Sequence, residues 1–388
     1  MPETPWRSAL LVAGFVLAAL NMRPALAGIS PLLDEIMTDV GLTPAGGGAI
    51  TTVMVVCLGL FSALTPMLAR RIGLDRTLLA ALLLLAAGIA VRSLDGAPLL
   101  YLGAAVAGTA IAILNVAMPG IVKHHFPGKI GVYTAVYVTG LVAGASAASA
   151  LMIPLERATG YDWRGASALL AVPALAAAAL WLPQTFRSER SPGNGPRHFA
   201  ALMRSPVTWY VTAFMGLQSI TFYIVLAWLP TIFQEAGLPA DQAGYLLGLT
   251  NLAQVAATLT VPPHAGRARS QVPHVAAAAV LTIAGYAGVL LAPTTLPWLW
   301  MIVLGLGQGA SIALALLIIT LRAPDASSVT ALSAVAQSFG YALAALGPVL
   351  IGVLRQVSGG WTVPLLAGLA LCLIQFTVGV MAGRPLLP

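Results

Sequence analysis

Arg23 lies inside a continuous apolar stretch of the sequence, where a charged side chain is unusual. The stretch runs from about residue 9 to residue 33 and is long enough to cross a lipid bilayer as a helix. An arginine at such a depth costs at least ~2.5–3.5 kcal/mol, and it is tolerated where it faces water or a polar partner. The nearest acids, Asp34 and Glu35, follow about three helical turns later. We therefore expect the guanidinium to face a polar cavity, where its five planar donors suit a carboxylate, another small anion or a strongly polar acceptor.

Pro24 follows Arg23 directly and predicts a local kink in the helix. Proline has no amide hydrogen, so it cannot make the backbone hydrogen bond that the carbonyl of Leu20 would accept in a regular helix. The kink would open the helix next to the charged residue. In the alternative interpretation, Arg23 binds freed backbone carbonyls and holds helices 1 and 11 together.

Polar side chains recur within the other apolar stretches of the sequence. We expect several of them to line a cavity shared with Arg23, because a small-molecule site needs a few polar groups among apolar walls. The alternative for each single residue is a hydrogen bond between neighbouring helices. The candidate substrate-binding residues are Arg23, Asn115, Tyr133, Tyr137, Gln218, Phe222, Asn251, Gln254, Gln308, Gln337 and Tyr341.

The composition indicates that lipid is the solvent of most of the chain. Of the 388 residues, 59% are hydrophobic and 8% are charged, whereas soluble domains carry about 25% charged residues. Continuous runs rich in Leu, Ala and Gly are typical of membrane helices and not of the alternating strands of a barrel. We predict an all-α integral membrane protein with twelve transmembrane helices, or spans, at about 9–32, 46–69, 76–93, 97–121, 130–153, 165–182, 206–233, 242–262, 272–292, 296–321, 328–352 and 361–382.

Sequence patterns typical of enzymes are missing. The chain contains no HExxH, no GxSxG, no phosphate-binding glycine loop and no paired carboxylates within a span. The glycines of LGLGQGAS at 304–311 lie in an apolar run, which favours helix packing over nucleotide binding. Neither Cys57 nor Cys372 has the spacing of a metal ligand. We predict that the protein is not an enzyme, and we expect no metal, no cofactor and no nucleic-acid partner, since the net charge of +7 arises in short loops.

The longest polar interval, residues 183–205, divides the sequence into two halves of six spans each. Residues 40–52 resemble 236–248, and residues 65–73 resemble 261–269, at a shift of about 196 positions. Internal repeats of this kind are typical of transporters, which bind their solute near mid-membrane. We predict two pseudo-symmetric six-helix bundles, at 1–182 and 206–388, joined by a linker loop at 183–205.

The distribution of basic residues predicts the orientation in the membrane. Of the 19 Lys and Arg residues, Arg92, Arg157, Arg164 and Arg355 fall on one side, and all the others except Arg23 fall on the opposite side. The side richer in Lys and Arg is expected to be cytoplasmic. We therefore expect a multi-pass, monomeric protein of the bacterial cytoplasmic (inner) membrane, with both termini and the 183–205 loop in the cytoplasm.

Four stretches carry a family resemblance: LNMRPALAGISPLLDEI in span 1, NVAMPGIVKHHFP closing span 4, LAWLPTIFQEAG closing span 7 and AVAQSFGYALAALGPVLIGVLRQVSG in span 11. Together they resemble the cyanate and 2-nitroimidazole transporter family of the major facilitator superfamily (MFS), and the resemblance covers nearly all twelve spans. It implies the MFS fold, alternating access and small, polar or anionic substrates. The loop PMLARRIGLD at 66–75 keeps Arg71 and Gly73 of the usual superfamily pattern but departs from it at Pro66, Arg70, Leu74 and Asp75.

These observations predict a transporter that moves a small anionic or strongly polar solute, cyanate-like or nitroimidazole-like, by alternating access with Arg23 in the central site. The alternative is multidrug-type efflux of small amphipathic compounds. Efflux of cationic drugs would favour an acidic residue in the cavity, which the spans lack.

Overall fold

A computed structural model describes residues 5–186 and 202–385, and throughout these ranges the regular secondary structure is helical, without strands. The predicted all-α class is confirmed. Residues 187–201 of the predicted linker loop lie outside the described residues. The first helices are α1 (Pro5–Leu20), α2 (Pro24–Ala27), α3 (Leu33–Val40), α4 (Pro44–Phe61), α5 (Leu64–Ile72), α6 (Leu74–Arg92), α7 (Ala97–His125), α8 (Ile130–Thr159), α9 (Trp163–Leu169) and α10 (Ala171–Thr185). The remaining helices are α11 (Pro206–Glu235), α12 (Ala240–Ala265), α13 (Val272–Leu291), α14 (Pro297–Arg322), α15 (Ala326–Ser358) and α16 (Thr362–Gly383).

Twelve segments of the described chain are long and apolar enough to cross a membrane when each broken helix is counted as one span. The first span, Ala9–Leu32, contains the interruption between α1 and α2. The second combines α4 with α5, which meet at an angle of 60°. The twelve spans predicted from the sequence are thereby recovered, with breaks in the first two.

The first span is interrupted at Arg23, where the sequence predicts a kink. Helix α1 ends at Leu20, and α2 begins at Pro24 with Arg23 as its N-cap residue, whose backbone angles are φ −128° and ψ −19°. Proline is well suited to the first position of a helix because its missing amide has no partner there in any case. Pro24 therefore starts a new short helix, and the distortion is a break in the helix.

Small residues allow close helix packing at this break. A Cβ atom at Gly144 of α8 would overlap the carbonyl oxygen of Leu20, and one at Gly140 would lie 2.8 Å from Cβ of Ala19. The glycines of α14 act in the same way, because a side chain at Gly305 or Gly309 would overlap the backbone of α12. The helix-packing interpretation of the glycines at 304–311 is confirmed.

The chain forms two compact units. Unit 1 contains described residues 5–125, 136–186 and 325–334, and unit 2 contains 126–135, 202–324 and 335–385. The first turns of α8 and α15 thus belong to a different unit from the rest of each helix. The bundle boundaries at 182 and 206 stay a prediction.

Both units repeat one order of packing among their long helices. In unit 1, α7 packs against α4 and α6, and α10 packs against α1 and α6. In unit 2, α14 packs against α12 and α13, and α16 packs against α11 and α13. Counted as spans, the second pattern is the first pattern shifted by six, which is what an internal duplication produces.

Candidate functional site

Arg23 occupies the gap between two helices of a broken span. Its backbone carbonyl accepts hydrogen bonds from the amides of Leu26 and Ala27, both at 3.0 Å. The side chain is half-buried, and its Nε atom is shielded from solvent. The break places the Arg23 guanidinium on non-helical backbone within a membrane span. Non-helical backbone is tolerated there only where it is buried in protein or lines a water-filled cavity.

Arg92, at the end of α6, fixes the far side of this break. Its Nη1 donates to the carbonyl of Ala25 at 2.5 Å, and its Nη2 donates to the hydroxyl of Ser167 at 2.9 Å. The side chain is only 1% exposed. Arg92 is the last residue of α6, and two of its three guanidinium nitrogens are bonded within the protein because α2 and α9 provide oxygen acceptors. Its Nε atom is buried and has no hydrogen-bond partner among the described residues.

Asn21 fixes the near side of the break and is not among the candidates predicted from the sequence. Its side-chain amide donates to the carbonyl of Leu17 at 2.7 Å and to the carbonyl of Pro173 in α10 at 3.1 Å. Asn21 is 3% exposed. Hydrogen bonds from Asn21 and Arg92 therefore hold the chain on both sides of Arg23, and Gly144 packs against the carbonyl of Leu20.

Two further candidates from the sequence lie in unit 1. Asn115 is 3% exposed in α7, and Tyr137 is fully buried in α8. Tyr133 lies one turn before Tyr137 on the same helix but belongs to unit 2, where its ring stacks on Phe126 at 3.5 Å between centroids. The two tyrosines thus do not belong to one unit.

A buried network of polar side chains joins four helices of unit 2. Thr221 of α11 donates to Oε1 of Gln375 at 3.0 Å, and Nε2 of Gln375 donates to Ser311 of α14 at 3.2 Å. The backbone carbonyl of Thr221 accepts from the hydroxyl of Tyr286 at 2.7 Å and from Nε2 of Gln308 at 3.2 Å. Gln308, a candidate ligand, therefore also bonds between helices. Gln375 was missed although it is a lone amide within an apolar run, a signal that could have identified it.

Gln308 keeps one polar atom available. Gln308 is only 3% exposed, and its buried Oε1 atom has no hydrogen-bond partner among the residues that the structure describes. A buried oxygen left without a donor costs about 1–3 kcal/mol. This oxygen is a ready acceptor for a donor on a bound molecule.

The other candidates of unit 2 are distributed over three helices. Gln218 is buried and donates to the hydroxyl of Ser219 at 2.7 Å, whereas Phe222, one turn along α11, is half-buried. On α12, Gln254 is buried, and its amide lies 3.5 Å from Oδ1 of Asn251, a weak contact. On α15, the side chains of Gln337 and Tyr341 are 1% and 5% exposed.

Ion pairs form at the ends of spans that the sequence analysis placed on one side of the membrane. Arg164 pairs with Asp39 and, at 2.8 Å, with Asp95, and Arg355 pairs with Glu235 at 2.7 Å. Hydrogen bonds from Arg164 and then from Trp163 lower the pKa of Asp39. Each of the two arginines therefore lies beside an acidic residue of its own unit.

The pKa of Glu35, also in α3, is shifted in the opposite direction. Partial burial raises the pKa of Glu35, and a hydrogen bond with the carboxyl group of Glu156 raises it further. Two neighbouring carboxyl groups disfavour double ionisation. The pKa values of these two carboxyl groups of α3 are therefore shifted in opposite directions.

Comparison with known proteins decides the family. The model of the Major Facilitator Superfamily matches residues 9–348 of this chain. The chain belongs to the major facilitator superfamily. It is 38% identical over 377 residues to the 2-nitroimidazole transporter of Escherichia coli (strain K12), covering 97% of this chain and 95% of that protein. It is 29% identical over 371 residues to the cyanate transport protein CynX of the same strain, covering 95% of this chain and 96% of that protein.

The MFS resemblance that the sequence motifs suggested is therefore confirmed. The solved structure of the MFS transporter FucP, in the outward conformation, matches with a TM-score of 0.76 and 14% identity over 97% of this chain and 99% of that chain. At this identity the likeness shows the fold alone, and the MFS fold is confirmed. The chain is a multi-pass membrane protein whose relatives are transporters.

Proposed function

We propose that this protein transports a small anionic or strongly polar solute by alternating access, and that Arg23 is the main ligand of that solute. The observation that carries the proposal is the position of Arg23: a half-buried guanidinium at the break of the first span, held on both sides by Asn21 and Arg92. Such fixed supports restrict the group before a solute arrives, which reduces the ordering cost of binding.

The chemistry of the relatives' solutes supports the same ligand. Cyanate is a small linear anion, and a 2-nitroimidazole carries a nitro group with two oxygen acceptors. A planar guanidinium can donate two parallel hydrogen bonds to such acceptors, whereas a lysine ammonium acts as a point charge. The relatives are named for these two solutes, and we propose solutes of that class for this chain.

We further propose that amide and hydroxyl groups of unit 2 are also ligands of the solute. Gln308 is the leading residue, because its Oε1 atom is buried without a donor among the described residues while its Nε2 is already bonded to Thr221. Gln218, Gln254, Gln337 and Tyr341 are further candidates because they are buried polar groups within spans.

The decisive experiment compares thermal unfolding of the purified full-length protein with and without sodium cyanate or a 2-nitroimidazole, in the wild type, Arg23→Ala and Arg23→Lys. Truncating one partner of a buried charged hydrogen bond costs about 2–5 kcal/mol, or roughly 30-fold or more in affinity. We expect Arg23→Ala to lose ligand-induced stabilisation and Arg23→Lys to retain a weakened form of it.

Arg157→Ala is the matched control, because Arg157 is an exposed arginine of α8. It should respond to ligand as the wild type does. Equal ligand-induced stabilisation of the wild type and Arg23→Ala would show that Arg23 has a structural role and that the solute is bound elsewhere. Stabilisation by lipophilic cations alone would favour drug efflux instead.

For the membrane arrangement, we propose a cytoplasmic-membrane protein with both termini inside and a monomer as the transporting form. The Lys and Arg bias supports the orientation, and uptake into proteoliposomes of the purified chain would measure the transport itself.

A further inference from the structure

Three potential metal ligands meet where α6 begins and α7 ends. Asp75 is the second residue of α6, and His124 and His125 are the last two residues of α7. One ligand atom from each residue lies within 4.8 Å of the others, and Nε2 of His125 lies 2.7 Å from Oδ1 of Asp75. The sequence predicts no metal, and about fifty residues separate the aspartate from the histidines.

We propose that Asp75, His124 and His125 form a binding site for a divalent transition-metal ion, with Zn²⁺ as the best match. Two imidazole nitrogens and one carboxylate oxygen are a donor set that Zn²⁺ accepts at about 2.0–2.2 Å, with the fourth position left to water. The ligand atoms are already close enough for small side-chain movements to bring them to such distances from one ion.

The surroundings of the site favour a cation. Asp75 is 3% exposed, and a carboxylate so deeply buried needs a positive partner or several donors. Both histidines lie in the last turn of α7, where the aligned peptide dipoles place partial negative charge. His124 is exposed, which provides an entry path for the ion.

An outer contact holds the buried ligand in place. Nε1 of Trp181 donates to the backbone carbonyl of Asp75 at 3.2 Å, and the Trp181 ring stands edge-to-face with His125 at 5.7 Å between centroids. Outer partners of this kind orient metal ligands. They also supply a reporter, because a paramagnetic ion such as Co²⁺ bound at His125 would quench the fluorescence of Trp181.

The corresponding position in unit 2 provides an internal comparison. Gln271 and Arg322, which follow Asp75 and His125 by 196 and 197 residues, are joined by a hydrogen bond of 2.8 Å from Nη2 of Arg322 to Oε1 of Gln271. An amide and a guanidinium connect the two helices of unit 2 without offering the donors that Zn²⁺ requires. Of these two corresponding connections, only the one in unit 1 contains side chains that can ligate Zn²⁺.

The test is calorimetric titration of Zn²⁺ into the chelator-treated, purified full-length protein. We expect one site that weakens about tenfold or more in each of Asp75→Asn, His124→Gln and His125→Gln, since loss of even an outer partner typically weakens binding by 10–100-fold. Co²⁺ should quench tryptophan fluorescence in the wild type, and Trp181→Phe should remove that quenching while Zn²⁺ binding persists.

His264→Gln is the matched control, because Nδ1 of His264 lies 2.7 Å from Nε2 of His274 in a second, exposed histidine pair, which forms no such cluster with a carboxylate of the described residues. This variant should bind Zn²⁺ at the proposed site as the wild type does. Loss of the titrated site in His264→Gln but not in His125→Gln, or no saturable Zn²⁺ binding by the wild type, would overturn the proposal. Because binding is measured without transport, failure here would leave the proposed function untouched.

Discussion

The Nη1 atom of Arg92 lies 2.5 Å from the carbonyl oxygen of Ala25, two residues after Arg23. This hydrogen bond connects the end of α6 to the short helix that follows the break in the first span. A buried arginine that acts on the backbone next to a ligand is a positioning residue, and it can be separated experimentally from the ligand itself.

We therefore expect Arg92→Met to weaken solute binding as well as fold stability. The apolar replacement leaves the Ala25 carbonyl without its donor, at about 1–3 kcal/mol, and releases α2. Ser167→Ala is the control, since it removes the other hydrogen bond of Arg92 and leaves the contact with Ala25. Thermal unfolding should show a loss of stability in both variants. Ligand titration should show a loss of affinity in Arg92→Met alone. Equal affinities in the two variants would show that Arg92 has only a structural role.

The close packing of Gly144 beside the break gives a second prediction, which concerns stability. The α-carbon of Gly144 packs so closely against the carbonyl of Leu20 that Gly144→Ala forces α8 away from α1, and overpacking of this kind typically costs about 1–3 kcal/mol. Gly248→Ala is the matched control, because a Cβ atom there meets nothing within 4 Å in α12, and alanine is the better helix former by about 1 kcal/mol. Unfolding in detergent should show opposite signs for the two variants, and a neutral Gly144→Ala would contradict the close packing.

Asp325 gives a pH-dependent prediction at the start of α15. Partial burial alone would raise the pKa of Asp325, but hydrogen bonds from Ser327 and Ser328 outweigh it and lower the pKa from 3.8 to about 2. A lowered carboxyl pKa means that the stabilisation is complete above about pH 4 and is lost as the pH falls toward 2.

Asp325→Ala should accordingly lower the free energy of unfolding by about 0.5–2 kcal/mol at neutral pH, the usual effect of removing a helix cap. The difference from the wild type should shrink between pH 4 and pH 2. Asp325→Asn, which keeps an acceptor oxygen but no charge, should show a smaller loss that is independent of pH. Unfolding curves across this range provide the measurement, and a difference that grows on acidification would refute the assignment.

The orientation can be tested by cysteine labelling. Ser191→Cys, in the predicted cytoplasmic loop, should react with a membrane-impermeant reagent only after the cells are opened. Gly360→Cys, in the turn after α15 on the opposite side, should react in intact cells. Cys57 and Cys372 are buried and should contribute little background. The reverse labelling pattern would invert the proposed topology.

The spans could be predicted from the sequence because long apolar runs have few alternatives to a membrane helix. The break at Arg23 was predictable in place, since Pro24 lacks an amide hydrogen, but its form was not. Whether a helix bends or stops depends on partners such as Asn21 and Pro173, which are far apart in the sequence. The helix-to-helix hydrogen bonds of Gln375 depend on the same long-range packing.

Arg92 shows most clearly why part of the site could not be predicted. In the sequence it stands at a helix end before a polar turn, as a solvent-exposed arginine does. Its burial results from α2 and α9, which become neighbours of α6 only in the folded chain. Asp75 and His125 could likewise not be recognised as a pair, because the two complete helices α6 and α7 separate them along the sequence.

The packing of Gly144 against the carbonyl of Leu20 constrains how the descendants of this sequence can diverge. Pro24 is the reason that this carbonyl lacks its ordinary helical donor, and Gly144 is the reason that α8 can lie against it. A lineage that replaced Pro24 with another residue would restore an amide donor for the Leu20 carbonyl, so a side chain at position 144 would then meet a different backbone surface. The two positions, 120 residues apart in the chain, should therefore vary together among relatives. A substitution at one position should make a substitution at the other easier to tolerate.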